Sequence, residues 1–380
     1  MTGKELLARL IAFRSVSSAS NLDCIAFIRD WLAAQGIDVR ILPGPDGKAN
    51  LRALVGPNVP GGVVLSGHTD VVPIECQAWT SDPWTLREQD GRLYGRGACD
   101  MKGFVALAML AASKAARMEL RRPLHLAFSY DEEVGCKGAP GLIADLVKHA
   151  PPAAAVIVGE PSLMRVISGQ KHSLAFYTHV TGHSVHSSQI HRGVSAVAIA
   201  ARLITWFEDR MAGLAATTPD SGFDPPFTTL HCGMVNGGTA ANIVAERCTF
   251  VTDVRAIPAD DALAHEAAYR EHLNKAVIPA MRRIAPNAGV EVVRRSYVQG
   301  LQPSPDSTAE LLGRRLTGDN GWTLVSYSTE AGLFQGAGIP AIVCGPGDIA
   351  QAHQPDEFLA VEQFEAGARC MERLLAELRS

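Results

Sequence analysis

Between Gly61 and about Pro161 the chain alternates short, continuous apolar runs with longer stretches in which apolar residues recur every three or four positions. The runs GGVVLSG, LHLAFSY and AAAVIVG predict buried strands, while MKGFVALAMLAASKAARM and the segment from Ala139 to Lys148 predict helices. Strands that are apolar on both faces and separated by helices are the signature of a mostly parallel sheet covered on both sides. The rhythm changes after Gly169. From His172 it reads strand (HSLAFYTHV), helix (GVSAVAIAARLITWFEDRM), strand (TTLHCGMV), strand (CTFVTDVRAI), long helix (DDALAHEAAYREHLNKAVIPAMRRI) and strand (GVEVVRRSYV). This β-α-β-β-α-β order is that of a ferredoxin-like unit. After Gln302 the first rhythm resumes with a helix at Thr308 to Leu316, the strand PAIVCG and a closing helix from Val361. The expected fold class is therefore α/β, with one domain built from residues 1–171 and 301–380 and a second, residues 172–300, inserted into it. The proline-rich TTPDSGFDPPF stretch is expected to be a loop within the insert.

Composition narrows the function. With 47% hydrophobic and 19% charged residues the 380-residue chain is ordinary globular protein, long enough for two or three domains. Its net charge of −4 and scattered Lys and Arg provide no basic field for a nucleic acid. The most continuous apolar stretch, Phe104 to Ala112, falls far short of the roughly 20 residues that cross a bilayer. The N-terminal MTGKELLARLIAF reads as an amphipathic helix, not an export signal. Eight dispersed cysteines with no Cys-x-x-Cys pair predict reduced thiols and a cytoplasmic protein.

Acids and histidines gather where the predicted strands end. VVLSG leads into His68 and Asp70, LHLAFSY into Asp131, Glu132 and Glu133, AAAVIVG into Glu160, and AIVCG through a Pro/Gly loop to His353; Asp100 closes the loop YGRGACD before a helix. Ligands of open α/β sheets bind beyond the carboxyl ends of the strands, so these side chains are expected to converge. Singly, each has an ordinary reading as a polar strand end, a solvated acidic turn or a loop histidine. Jointly they form a nitrogen and oxygen donor set suited to zinc or a related first-row ion, and large enough for two ions sharing one carboxylate. Of the adjacent Glu132 and Glu133, one can ligate while the other handles the proton of the attacking water. Cys99 and Cys136 read as small packing residues. Serine-hydrolase, P-loop and His-Glu-x-x-His motifs are absent.

Taken together, SGHTDVVP (66–73), GRGACDMKG (95–103), DEEVGCKGA (131–139), GEPS (159–162), GHSVHSS (182–188), GGTAANIVAERC (237–248) and STEAGLFQGAGIPAIVCGPGDIAQAHQPDEF (328–358) resemble the dinuclear-zinc aminoacylase/carboxypeptidase superfamily. The resemblance implies a zinc-hydrolase catalytic domain with an inserted lid or dimerisation domain, and two Zn2+ per subunit with Co2+ as a possible substitute. His68 and Glu160 would hold one ion, Glu133 and His353 the other, and Asp100 would bridge them. Asp70 would orient His68, and Glu132 would be the general base. His186 would stabilise the oxyanion from the partner subunit of a homodimer joined through the inserts. Ser-Ser-Gln-Ile-His follows His186 where relatives commonly carry a proline, and His183 and His191 crowd the segment. The implied substrate is an N-acyl amino acid, its carboxylate gripped by Arg255 with Asn242 as a further contact. The resemblance makes N2-acetyl-L-ornithine the expected substrate, and Glu330 is read as facing the amine of a basic side chain, which favours a basic substrate over a succinylated acidic one. Desuccinylase, other aminoacylase and dipeptidase activities stay open within the class. A metal or metabolite binder without turnover is the alternative outside it, and the presence of Glu132 speaks against that.

Overall fold

The first helix, Gly3–Ile11, begins where the Thr2 hydroxyl accepts the Glu5 amide and the Glu5 carboxylate accepts the Thr2 amide, a reciprocal cap that satisfies two otherwise unpaired donors. In the computed structural model, which describes residues 1–17 and 19–380, the chain divides into two units. One comprises Met1–Gly169, Leu301–Thr323 and Thr329–Ser380; the other comprises Gln170–Gly300 and Leu324–Ser328. The short segment Leu324–Ser328 thus groups with the second unit, whereas the sequence reading left it with the first.

The strands of the first unit lie in the order Asp38–Pro43, Ala49–Val55, Leu124–Ser129, Gly62–His68, Ala153–Pro161, Ala341–Gly345, Ile167–Gln170. The middle four run parallel, as their unbroken apolar character requires, and the flanking pairs are antiparallel. The N-terminal pair, Asp38–Pro43 with Ala49–Val55, went unread in the sequence because its outer strand alternates exposed and half-buried positions instead of forming an apolar run. Helix Gly103–Ala115 is buried on nearly all sides because it lies against the sheet and is itself covered by Gly3–Ile11 and Val361–Arg379. Its first turn approaches the sheet so closely that a Cβ at Gly159 would fall 2.0 Å from the Phe104 ring. Only glycine fits beside Glu160 at that point.

In the second unit four antiparallel strands lie in the order Thr229–Gly237, Arg247–Ala256, His172–Thr181, Gly289–Val298. Helices Ala196–Thr217 and Ala262–His272 share a core with them, centred on Phe176, Phe207 and Tyr269. The long helix expected from Asp260 to Ile284 is continuous from Ala262 to Arg282 but not uniform. It runs Ala262–His272, widens into a π turn at Leu273–Val277 and resumes as Ile278–Arg282. Pro279, with no amide to return to the preceding turn, accounts for the widened π turn ahead of it. Residues 218–228, the proline-rich stretch, hold no helix or strand. Among the described residues no helix is long and apolar enough to cross a membrane.

Candidate metal and active site

Parallel pairing brings the carboxyl ends of four strands to one edge of the sheet. His68 is in register with Ser129, the last residue of the strand that leads into the acidic turn; Ser66 is level with Val158; Gly345 is level with Pro161, next to Glu160. Asp100 reaches the same edge from the loop before helix Gly103–Ala115. That loop turns at Gly97, whose φ of +82° is glycine's own territory and where a Cβ would strike Val71 and Lys102.

The resulting cluster is tight. His68 Nε2 lies 3.0 Å from Asp100 Oδ1 and 3.5 Å from Glu160 Oε1. His353 Nε2 lies 3.2 Å from Asp100 Oδ2 and 2.9 Å from Glu133 Oε2. Asp100 therefore turns one oxygen to each imidazole. Two overlapping groups, His68–Glu132–Glu160 and His68–Asp100–Glu133, each present ligand atoms within 4.8 Å of one another. His68, Asp100 and Glu160 are buried, Glu132 and Glu133 half-buried, and the His353 side chain is 51% exposed.

Electrostatics set this edge apart. Burial pushes the Glu132 carboxyl up to about 8 and that of Glu133 to about 7, and drives Glu160 well above the carboxylate range. Burial also opposes the charge of Asp100, but hydrogen bonds to His353 and His68 outweigh it and keep this carboxyl below its usual range. The bonds to Asp100 and Glu133 raise His353 to about 10. Among the described residues no Lys or Arg pairs with Asp100, Glu132, Glu133 or Glu160, so two imidazoles face four acids. Carboxylate and imidazole donors carrying that excess of buried negative charge fit divalent metal.

Other predicted residues occupy different settings. The Asp70 carboxylate stands 3.6 Å from His68 Nδ1, beyond hydrogen bonding, and it is the Asp70 backbone carbonyl that meets this nitrogen at 2.9 Å. The carboxylate instead accepts the Glu132 amide at 3.1 Å, the Glu133 amide at 3.4 Å and the Ser17 hydroxyl at 2.7 Å, which makes it the brace of the acidic turn. Asp131, at φ +55°, turns away from the cluster into a buried pair with Lys48. Cys136 is buried, and its thiol donates to Glu132 Oε1 at 3.2 Å. Glu330 differs most from expectation. It is 1% exposed, and its two oxygens accept the hydroxyls of Ser66 and Ser129, so it belongs to the packed sheet end and not to a substrate-facing surface.

His186, Asn242 and Arg255 lie in the second unit. Backbone bonding joins the first two: Ser187 N–H donates to the Asn242 carbonyl at 2.9 Å, and His186 bridges to Ile243. The exposed His186 ring accepts the Ser188 amide at Nδ1, 3.2 Å away, and the same nitrogen lies 2.8 Å from the Ser188 hydroxyl, so Nε2 is the ring nitrogen turned away from these contacts. Arg255 sits on the interior strand Arg247–Ala256 with its guanidinium bound bidentately to Asp253 at 2.8 and 3.1 Å.

Sequence reasoning missed Glu357. Its carboxylate is 1% exposed, paired with Arg96, and receives the Gly97, Cys99 and Asp100 amides. The acidic dipeptide four residues beyond His353 was the available signal, but nothing local distinguishes it from a solvated turn.

The sequence model of Peptidase family M20/M25/M40 matches residues 64–377. Acetylornithine deacetylase of Proteus mirabilis (strain HI4320) is 34% identical, over 98% of this chain and 95% of that protein. The enzyme of the same description from Yersinia pseudotuberculosis serotype O:1b (strain IP 31758) is also 34% identical, over 95% and 93%. Among solved structures, an M20 family metallo-carboxypeptidase from Sulfolobus solfataricus superposes with a TM-score of 0.81 at 17% identity, covering 100% of this chain and 99% of that one. A dipeptidase from Saccharomyces cerevisiae gives 0.75 at 18%, covering 98% and 94%. At those identities the structural matches bear on the fold alone.

Proposed function

The chain belongs to peptidase family M20/M25/M40, and from that premise we propose that this metal-dependent hydrolase cleaves N2-acetyl-L-ornithine to acetate and L-ornithine. The observation that carries the reading is Asp100 shared between His68 and His353, with Glu132 and Glu133 side by side at the same sheet edge. Near full-length similarity to acetylornithine deacetylases supports the choice of substrate.

In this reading the metal is zinc, replaceable by cobalt, with His68 and Glu160 holding one ion, Glu133 and His353 the other, and Asp100 both. Ions held there would supply Lewis-acid polarisation of the scissile carbonyl and would make a water acidic enough to ionise near neutral pH. Glu132 takes the proton of that water as its oxygen bonds to the carbonyl carbon, then delivers it to the amine as the C–N bond breaks. Asp70 acts by holding the Glu132 and Glu133 amides, which fixes where both carboxylates point. His186 offers its Nε2 proton to the developing oxyanion. Arg255, with Asn242, binds the substrate carboxylate, and its fork already holds a carboxylate in this geometry, that of Asp253. Glu330 is assigned no substrate contact. Two copies of the chain pair through the second unit, and the eight free cysteines suit a cytoplasmic location.

The test is hydrolysis of N2-acetyl-L-ornithine by the zinc-reconstituted protein beside its Glu132→Ala variant. Activity in the parent and a fall of at least about 100-fold in kcat, with metal content unchanged, is the expected result. A metal-loaded parent that prefers acetylmethionine, acetylcitrulline or succinyl-diaminopimelate would overturn the substrate.

A further inference from the structure

Glu357 immediately precedes the short strand Phe358–Ala360, whose pairing of Phe358 with Tyr94 sets it beside the loop that carries Asp100. One carboxylate oxygen accepts the amides of Cys99 and Asp100 at 2.9 and 3.0 Å; the other accepts the Gly97 amide at 3.0 Å and Arg96 Nη1 at 2.7 Å. The backbone at Asp100 is not helical (φ −116°, ψ 93°), so the regular i−4 pattern does not serve these buried amides, and an acceptor from elsewhere in the chain must. Arg96, itself 1% exposed and lying over the Trp79 ring, carries the network onward through Nη2 to Gln77 Oε1. Gln77 Nε2 then donates to the backbone carbonyl of His353 at 2.9 Å. One unbroken chain of hydrogen bonds therefore runs from the Asp100 amide to the His353 carbonyl. These are the two residues whose side chains meet 3.2 Å apart in the cluster. His353 needs such a tether, because it stands at φ +64° with half its side chain exposed.

We infer that Glu357, Arg96 and Gln77 are positioning residues that lock the Asp100 and His353 loops together and thereby set the affinity for the ion held by Asp100, Glu133 and His353. The inference rests on the metal-site reading above. It touches no reacting atom, and its effect is selective: the ion held by His68 and Glu160 draws only one of its ligands, Asp100, from the tethered loops.

The experiment is a calorimetric titration of the full-length, metal-free protein with Zn2+, repeated with Co2+ and read by its visible absorption. Parent, Glu357→Gln, Gln77→Ala and the double variant are compared. Two binding steps are expected in the parent. Glu357→Gln keeps the size of the side chain but turns a donor toward Arg96 and Gly97, and should weaken one step by about 10–100-fold while leaving the other within about 3-fold. Gln77→Ala, which leaves the Asp100 amides satisfied, should weaken the same step by a smaller factor and alter the same cobalt band. The double variant should be little worse than Glu357→Gln alone, because both cut one network. Should Glu357→Gln fail to fold, Gln77→Ala decides the matter alone. Variants that bind both ions with parental affinity, or that weaken both steps equally, would overturn the inference while leaving the metal-site reading intact. A parent that binds fewer than two ions would overturn both together.

Discussion

Asp145 and the carboxylates beside Asp100 are acids of the same unit in opposite surroundings. Asp145, on helix Ala139–His149, is met by Arg40 and His149, each at 2.9 Å, and by Arg52. Burial works against its charge, but the Arg52 hydrogen bond and the neighbouring cations outweigh it and hold the carboxyl below its usual range. Glu266 of the second unit is compensated in the same manner, 2% exposed between Arg270 and Arg294 at 2.8 Å each. Among the described residues Glu132, Glu133 and Glu160 have no such cation, and burial drives them the other way. Asp145, Glu266 and Glu357 are each met by a guanidinium and Asp131 by the Lys48 ammonium; among the described residues the acids clustered around Asp100 are met by two imidazoles alone. The difference teaches that the charge deficit, more than the count of acids, marks where a divalent ion belongs.

Removing metal should produce the largest change. A chelator is expected to abolish hydrolysis and lower unfolding free energy by about 2.7 kcal/mol for each ion removed, relative to protein held at 100 times that site's metal Kd, read as a fall in Tm. Asp145 and its arginines should be indifferent to the same treatment. Glu266→Ala is the converse experiment. It strips a compensated acid and leaves two guanidinium groups without their partner, so it should cost about 1–3 kcal/mol in urea unfolding while leaving zinc stoichiometry at the parental value. Asp145→Asn should have the smallest effect, visible only in its pH dependence. A carboxyl lowered by folding contributes stability that is complete above the ordinary Asp value of about 3.9 and is lost as pH falls through the lower folded value. Parent and Asp145→Asn should therefore differ at neutral pH and converge in acid; a gap that widened in acid would reverse the comparison.

The parallel centre of the fold was legible because its strands are apolar on both faces and each runs into a conspicuous polar residue, so His68, Glu133, Glu160 and His353 could be tied to one sheet edge before any coordinates. What could not be read is where each carboxylate points. Asp131, Glu132 and Glu133 are identical in kind and adjacent in sequence, yet Lys48, far away in the chain, turns the first of them away. The resemblance assigned Asp70 to His68, whereas its carboxylate braces the next loop. Glu330 was assigned to substrate, whereas two serines from neighbouring strands claim it. Glu357 was passed over because its partners are backbone amides, which leave no mark in a sequence. Each of these depends on closure between segments remote in the chain. The insert's second helix was legible over its whole length, and its proline shows in the structure as a π turn within a continuous helix.

The account stands most directly on the stoichiometry of zinc bound by the metal-free protein, measured by calorimetric titration with Asp100→Ala in parallel. It predicts two ions per chain in the parent, and a marked weakening of both steps in the variant, since each ion loses the carboxylate that it shares. A parent that takes up no zinc, or an Asp100→Ala protein that binds two ions as tightly as the parent, would contradict it.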